Sequence, residues 1–316
     1  MAYSPEYERC EACGTLVTRH MPEGNIARVN DDAADFYGRN YWFAHQASDL
    51  GHPTITERTR VDLPERCTYW LRALLHHKLP PGRILELGAC HGGFVALLRQ
   101  AGFDAMGQEL SPTIVDLARS TFDVVMLQGL IEDQEIAQGS LDVIALFDVM
   151  EHLQDPVATL THSVNLLKPD GFLLIQTPRV PPDATYEQLL ARQDPFLVQF
   201  KKEEHLYLFT EQGVRDFFRR CGLPEVAFIP AIYSHYDMFF TVSRTALPIH
   251  TDPDVAAALS APSQRLVLAL LDLYGQHQQT VRHLAEVELD REARLNVINI
   301  LDARVRELER RWWRFW

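Results

Sequence analysis

The sequence predicts an α/β domain built on a doubly wound, mostly parallel, seven-stranded sheet. Three observations predict it. Between residues 82 and 243 apolar runs of strand length alternate with segments whose apolar residues keep helical spacing. Runs such as "VIALF" and "FLLI" are apolar throughout, as in strands covered on both faces. The stretch "ILELGACHGGFVALL", residues 84–98, reads as a buried strand, a glycine-bearing turn and a helix.

Residues 1–50 read as an irregular, turn-rich N-terminal segment holding a "CEAC" pair and the aromatic cluster "DFYGRNYWF". Residues 64–78, "PERCTYWLRALLHHK", have helical spacing and end at "LPPG". Strand "RILELG" leads to helix "GFVALLRQAG", which glycine stops, and strand "DAMGQEL" to helix "SPTIVDLARSTF". That helix opens with Ser111 as N-cap and Pro112 in its first turn. Strands "DVVMLQG" and "LDVIALFD" follow, then helix "DPVATLTHSVNLLKP", strand "GFLLIQTP" and the capped helix "TEQGVRDFFRRCG". "EVAFIPAIYS" and "YDMFFTVSR" close the sheet as an antiparallel pair. The catalytic-type domain therefore covers 51–245. Residues 246–316 form a C-terminal extension, helical from about 261, with no proline after Pro262.

The chain has 316 residues, 47% hydrophobic and 23% charged, enough for one large core with appendages. Its formal net charge of −13 would repel phosphate backbones, so no nucleic-acid partner is expected. No apolar run approaches the roughly 20 residues of a membrane span, so no transmembrane segment is expected. The charged start "MAYSPEYERCEACG" lacks the apolar core of a signal peptide. Five cysteines without an export signal suggest free thiols and a cytoplasmic location.

In open α/β sheets the ligand sits beyond the carboxyl ends of the strands, where the winding reverses. A dinucleotide site wants Gly-x-Gly-x-x-Gly, whose second glycine lets backbone touch a pyrophosphate. This turn offers Gly88, Cys90 and Gly93, so that glycine is missing. S-adenosylmethionine has no phosphate. Its ammonium suits Glu86, its carboxylate the open helix N-terminus, and its ribose diol Glu109, where the second strand ends in "GQEL".

With these residues the chain resembles the class I S-adenosylmethionine-dependent methyltransferases, of the ubiquinone-biosynthesis-like and sugar or secondary-metabolite type, over residues 82 to about 243. "LELGACHGG" is similar to the family's Glu-x-Gly-x-Gly-x-Gly, with Cys90 in place of the middle glycine. The resemblance implies a Rossmann-like methyltransferase fold and S-adenosylmethionine as cofactor. It implies cofactor contacts from Glu86, Gly88, Ala89, Cys90, His91, Gly92, Glu109, Leu110, Phe147 and Asp148. "QGLIEDQ" resembles the adenine loop, with Ile131 and Glu132 beside the base. His91 could instead simply point at solvent.

"FDVMEH" places Asp148, Glu151 and His152 just past the fourth strand, where an acceptor meets the methyl group. "KKEEHLYLFT" adds His205, which related enzymes often turn toward the active site. Methyl transfer is an in-line displacement in which the protein supplies alignment and a base. His152 and His205 are the candidate bases, with Asp148 or Glu151 orienting one of them. In the ubiquinone-biosynthesis group the Glu-His pair is linked to a divalent metal. Carboxylate and imidazole here could ligate one, but none is expected. The acceptor is expected to be a small molecule, with a sugar or secondary-metabolite hydroxyl favoured and carbon or amine methylation left open. The rival reading is a non-catalytic scaffold or regulatory partner of the same fold. Against it, a degenerate member would be expected to lose Glu86, Glu109 or the polar loop.

Cys10 and Cys13 make half of a zinc site, with His20, His45 or His52 as completing ligands, and no stoichiometric zinc is expected. Cys67 and Cys221 read as buried thiols. The tail "RELERRWWRFW" could lie on an anionic membrane surface, but docking onto protein is favoured. Leu295, Ile298, Leu301, Val305 and Leu308 come close to a heptad seam, which leaves a homodimer through the C-terminal helices open.

Overall fold

A computed structural model of the chain describes residues 1–312; the last four residues of the tryptophan- and arginine-rich tail lie outside the described residues. The chain divides into two compact units, Met1–Leu268 and the segment from Ala269 onward.

The first unit opens with a hairpin of β1 (Tyr7–Arg9) and β2 (Leu16–Thr18), inside the stretch expected to be irregular. A wide helical segment, Tyr41–Asp49, ends with the Leu50 N–H donating five residues back to the His45 carbonyl at 3.2 Å. Then come α1 (Ile55–Val61) and α2 (Thr68–Leu75). The helix read over 64–78 is thus shorter. Its first turn, Leu63–Cys67, is wide, and Thr68 to Leu75 carry the regular helix.

The central elements follow the predicted alternation: β3 (Arg83–Leu87), α3 (Gly93–Gln100), β4 (Asp104–Glu109), α4 (Pro112–Phe122), β5 (Val125–Gln128) and β6 (Leu141–Phe147). They continue with α5 (Pro156–Leu166), β7 (Leu167–Pro178), α6 (Tyr186–Ala191), β8 (Tyr207–Leu208), α7 (Glu211–Arg220), β9 (Glu225–Ile229), β10 (Asp237–Ser243) and α8 (Asp252–Ala258). Local chemistry sets the ends. Ser111 Oγ accepts from the Ile114 N–H at 3.4 Å, Asp155 from Ala158 at 2.9 Å and Thr210 from Gly213 at 2.9 Å. The helix expected to run to Pro169 stops at Leu166, because Leu167 already pairs with Leu141 in the sheet.

The seven-stranded sheet has the order β5-β4-β3-β6-β7-β10-β9. Strands β3 to β7 of this sheet run parallel, and β10 runs antiparallel to both neighbours. A second sheet, β1-β2-β8, ties the N-terminal hairpin to the segment just after His205. On one face of β3, β6 and β7 the core is built of Leu85, Ile144, Leu146, Leu173 and Ile175, joined by Leu160 of α5 and Phe218 of α7. Burial of each such side chain contributes about 1.5–3 kcal/mol.

The second unit is helical from Ala269, as the continuation of α9 (Arg265–Trp312). Among the described residues no helix is long and apolar enough to cross a membrane.

Gly107 in β4 has no room for a side chain: an added Cβ would lie 2.6 Å from Ala89 Cβ and 2.7 Å from Met126 Sδ. Gly107→Ala should therefore destabilise the protein by about 1–3 kcal/mol through overpacking under the glycine turn. Urea unfolding of the two proteins measures it, and an unchanged midpoint would show that the turn yields freely.

Candidate active site

The turn after β3 is built from three residues with positive φ: Gly88 at 70°, Cys90 at 49° and Gly92 at 77°. At Gly88 a Cβ would fall 2.6 Å from Val149 Cγ2, so backbone conformation and crowding both require glycine. Cys90 holds a left-handed conformation that costs a residue with a Cβ about 1–2 kcal/mol. Its N–H donates to Glu109 Oε2 at 3.1 Å, which helps to hold it there. Gly92 serves a different end. Its Cβ would meet Ala118 and Val124 at 3.0 and 3.1 Å, so the glycine lets the turn approach α4.

Beyond the carboxyl ends of β3, β4 and β6 lies a cavity of about 560 Å³. Its lining includes Glu86, Gly88, Ala89, Cys90, His91, Glu109, Leu110, Phe147 and Asp148 on one side, and Glu151, His152 and His205 on another. Gly92, Ile131 and Glu132 are not in that lining. Ile131 is buried in the core cluster, and Glu132 accepts a hydrogen bond from Thr159 Oγ1. His91 does not face solvent. It is 4% exposed, with Nε2 donating to Asp62 at 3.1 Å and Nδ1 accepting from the Gly93 N–H.

Buried polar groups without partners mark where a ligand is missing. Among the described residues five buried side-chain N or O atoms lack a hydrogen bond, and three of them, Trp42 Nε1, Arg66 Nε and Glu86 Oε2, belong to residues lining this cavity. Burial first, then the charge of Glu109, pushes the Glu86 carboxyl well above the usual range, while the Val95 N–H opposes the shift. Burial raises Glu109 too, against three backbone N–H donors, Leu110, Ser111 and Cys90. Those donors take about three of the four acceptor positions of its carboxylate, which leaves room for one further donor.

On the other side the two histidines are fixed by backbone carbonyls. His152 Nδ1 donates to Glu204 O at 2.8 Å and His205 Nδ1 to Gln199 O at 2.9 Å. A carbonyl only accepts, so both rings carry their proton on Nδ1 and keep a lone pair on Nε2. The rings meet edge to face with centroids 4.9 Å apart. Burial lowers the pKa of His152 despite Glu204, and burial with the neighbouring His152 lowers His205 further. Burial and Asp148 drive Glu151 well above its ordinary range, and the same two causes push Asp237 up to about 8. Asp148, itself at φ 56°, is ion-paired with Arg66 and accepts from Gln176 Nε2 at 3.1 Å. Among the described residues Glu151, His152 and His205 form a group able to hold a metal, with ligand atoms within 4.8 Å of one another.

Several lining residues were not legible as site residues. Tyr37 reaches His152 with its hydroxyl at 3.1 Å, and Tyr41 donates to Glu204 at 3.1 Å. Both come from "DFYGRNYWF", whose aromatic density was the available signal. Arg66 lies over the rings of Trp70 and Tyr233, and Asp237, Tyr233 and Tyr236 enter from the β9–β10 side. Elsewhere, Cys10 is exposed, Cys13 half-buried and bonded to Thr15, and Cys221 only half-buried. His20 lies 2.6 Å from Glu6, and His45 lies between Asp49 and Glu204.

A family profile described as a methyltransferase domain matches residues 60–226, more than half of the chain. The chain belongs to the S-adenosylmethionine-dependent methyltransferases. It is 32% identical over 106 residues to a ubiquinone biosynthesis O-methyltransferase of Xanthomonas campestris pv. campestris, a match covering 31% of this chain and 44% of that protein. A protein of the same name from Cereibacter sphaeroides is 27% identical over 152 residues, covering 46% and 61%. The chain thus spans less than two thirds of these curated relatives. Among solved structures, an S-adenosylmethionine-dependent methyltransferase from Thermotoga maritima aligns with 60% of this chain and 96% of its own, at 20% identity and a TM-score of 0.44.

S-adenosylmethionine is the cofactor of this methyltransferase. The cavity fits it, because the unpartnered Glu86 Oε2 supplies an acceptor and the Gly88 turn an open backbone edge. The Cys90 conformation gives a direct test of the turn. Cys90→Gly should raise stability by roughly 0.5–1 kcal/mol, the relief of left-handed strain less the added unfolded-state entropy. Thermal unfolding checks it, and a lower midpoint would mean that the thiol contributes more by packing than its strain costs.

Proposed function

We propose that this methyltransferase transfers the methyl group of S-adenosylmethionine to a hydroxyl of a small-molecule acceptor, of the sugar or secondary-metabolite class. One observation carries the reading: two buried imidazoles present Nε2 lone pairs in the cavity that also holds Glu86 and Glu109. The cofactor supplies an electrophilic methyl carbon. Glu86 accepts from its ammonium and Glu109 from its ribose. His152 or His205 takes the acceptor's proton as its oxygen attacks. Tyr37, Tyr41, Trp42, Tyr233 and Tyr236 offer flat apolar faces with polar rims, which suit a sugar or phenolic ring. The O-methyltransferase names of the two relatives support oxygen as the accepting atom. Five free cysteines suit a reducing, cytoplasmic setting. Mass spectrometry of a panel of glycosides, phenols and amines after incubation with S-adenosylmethionine tests the acceptor class, and methylation of amines alone would refute it.

The base makes a sharper prediction. His152→Ala or His205→Ala should lower kcat by about 10²–10⁴-fold at nearly constant cofactor Kd. Both rings titrate below the ordinary histidine value of 6.5, so the wild-type rate should hold to lower pH and fall only as pH drops through the depressed pKa. An acid limb at or above 6.5, or two variants with wild-type rates, would remove the histidines from the reaction. The grouping of Glu151, His152 and His205 favours a second reading, with a divalent cation polarising the acceptor. Activity lost in EDTA and restored by a cation would select it.

Glu86 gives a pH-dependent affinity. Its raised pKa means that the carboxylate an ammonium needs must form by losing a proton. Affinity for S-adenosylmethionine and S-adenosylhomocysteine should therefore rise with pH above the ordinary carboxyl value of 4.5, over the range where the α-amino group, with a pKa of about 7.7–8.0, keeps its proton. Calorimetry across that range should show the slope in the wild type and its flattening in Glu86→Gln; equal slopes would exclude Glu86 as the acceptor.

A further inference from the structure

From Ala269 to Trp312 the second unit is a continuous helix, and beyond Tyr274 its large apolar side chains face water. Leu284, Val287, Ile298, Leu301, Val305 and Leu308 are each 48–59% exposed. These six share one stripe, while Leu289, Leu295, Val297 and Ile300 are exposed at other positions of the helix. With Ile298 at position a of a heptad, Leu301 is d, Val305 the next a and Leu308 the next d, while Leu284 and Val287 occupy a and d two heptads earlier. At 1.5 Å per residue this stripe is about 36 Å long. A water-facing stripe of that length is unusual for an isolated chain, because helices in proteins draw most of their stability from packing an apolar face.

We propose that this helix pairs in parallel register with the same helix of a second copy of the chain, as a two-stranded coiled coil. Residue types choose the number of strands. In the block 298–308, β-branched Ile298 and Val305 at a, with Leu301 and Leu308 at d, are the pattern that favours two, which the single earlier heptad with Leu284 at a and Val287 at d does not share. Charge chooses the direction. In a parallel pair each g position faces the following e position of the other helix, which sets Arg304 against Glu309. In an antiparallel pair e faces e and g faces g. That arrangement loses the Arg304–Glu309 pairing. In the single chain Arg304 bonds Glu307 at 2.7 Å on its own exposed surface, a contact it can exchange at little cost. Arg291 and Arg294 fall at a and d between the two apolar blocks. In parallel register Arg291 of one copy comes beside Asp290 of the other. A charged layer of this kind weakens a coiled coil but penalises slipped registers.

Sedimentation of the full chain tests the proposal. The expected result is a concentration-dependent species of twice the chain mass of 36.2 kDa. Ile298→Asp with Val305→Asp should yield monomers that bind S-adenosylhomocysteine with unchanged Kd, since neither residue lies in the cavity. Arg304→Glu should weaken the dimer several-fold, and adding Glu309→Arg should restore it. Leu308→Cys should cross-link to its own counterpart on mild oxidation, with the wild-type chain as control for native thiols. A monomer at tens of micromolar, a trimer or tetramer, a dimer indifferent to the aspartates, or a charge swap without rescue would each overturn it.

Discussion

The site depends on one topological constraint: β3 and β6 lie side by side in the sheet but are separated in the chain by β4 and β5. Right-handed crossovers carry the chain outward from β3 through β4 to β5, then back across to β6 and outward the other way. The helices after β3 and after β6 consequently leave on opposite faces, and no connection covers the strand ends between them. The Glu86 strand and its glycine turn supply one wall of this gap, and the loop from Asp148 to His152 supplies the other. Because the floor is buried sheet, Glu86, Glu109, Glu151 and His205 are held in low-dielectric surroundings.

That burial sets the acid–base character of the site. Charged forms are penalised, so carboxyls rise and imidazoles fall unless a counter-charge intervenes. Glu151 and Asp237 rise together because each is buried and each also sees Asp148. Arg66 is the counterweight. Burial works against its charge, but Asp148 and Asp62 more than offset that, and the guanidinium stays charged between the two. The Arg66–Asp148 and Arg58–Asp62 ion pairs thus stand beside Glu151 and Asp237, whose carboxyls burial pushes toward the neutral form.

What was legible in the sequence follows the range of the interactions. The strands, the Ser111 cap and the glycine turn are set by neighbours within a few residues, and each stands where the pattern puts it. The distribution of Glu86, Glu109, Asp148, Glu151 and His152 around one cavity follows from strand ends and is also local in origin, whereas His205 is held there through the N-terminal hairpin. What spacing left unread is long-range. His91 turns inward because Asp62, 29 residues earlier, receives its N–H. Tyr37 and Tyr41 reach His152 and Glu204 across 115 and 163 residues, and no period in the sequence encodes such a meeting. Ile131 and Glu132 sit in the expected loop. Yet core packing claims the first side chain and Thr159 the second, two demands that spacing alone does not reveal.

The N-terminal hairpin shows how an appended piece helps to fix one wall of the cavity. β2 pairs with β8, and the Thr18 N–H bonds the Leu206 carbonyl at 2.9 Å. Thr18 Oγ1 donates to Lys202 O at 3.0 Å and the Tyr7 hydroxyl to His205 O at 2.8 Å. The strap from Lys202 to Leu206 is therefore clamped from outside by the hairpin. From inside, the Leu206 N–H bonds the Glu151 carbonyl at 2.8 Å. Glu204 and His205 ride on that strap, and the Glu204 carbonyl fixes the His152 tautomer. Rigid backbone on both sides of an imidazole limits the rotation that would otherwise move its lone pair off line, and alignment is the main thing a protein contributes to an in-line transfer. The hairpin thus acts on both histidines without lining the cavity itself.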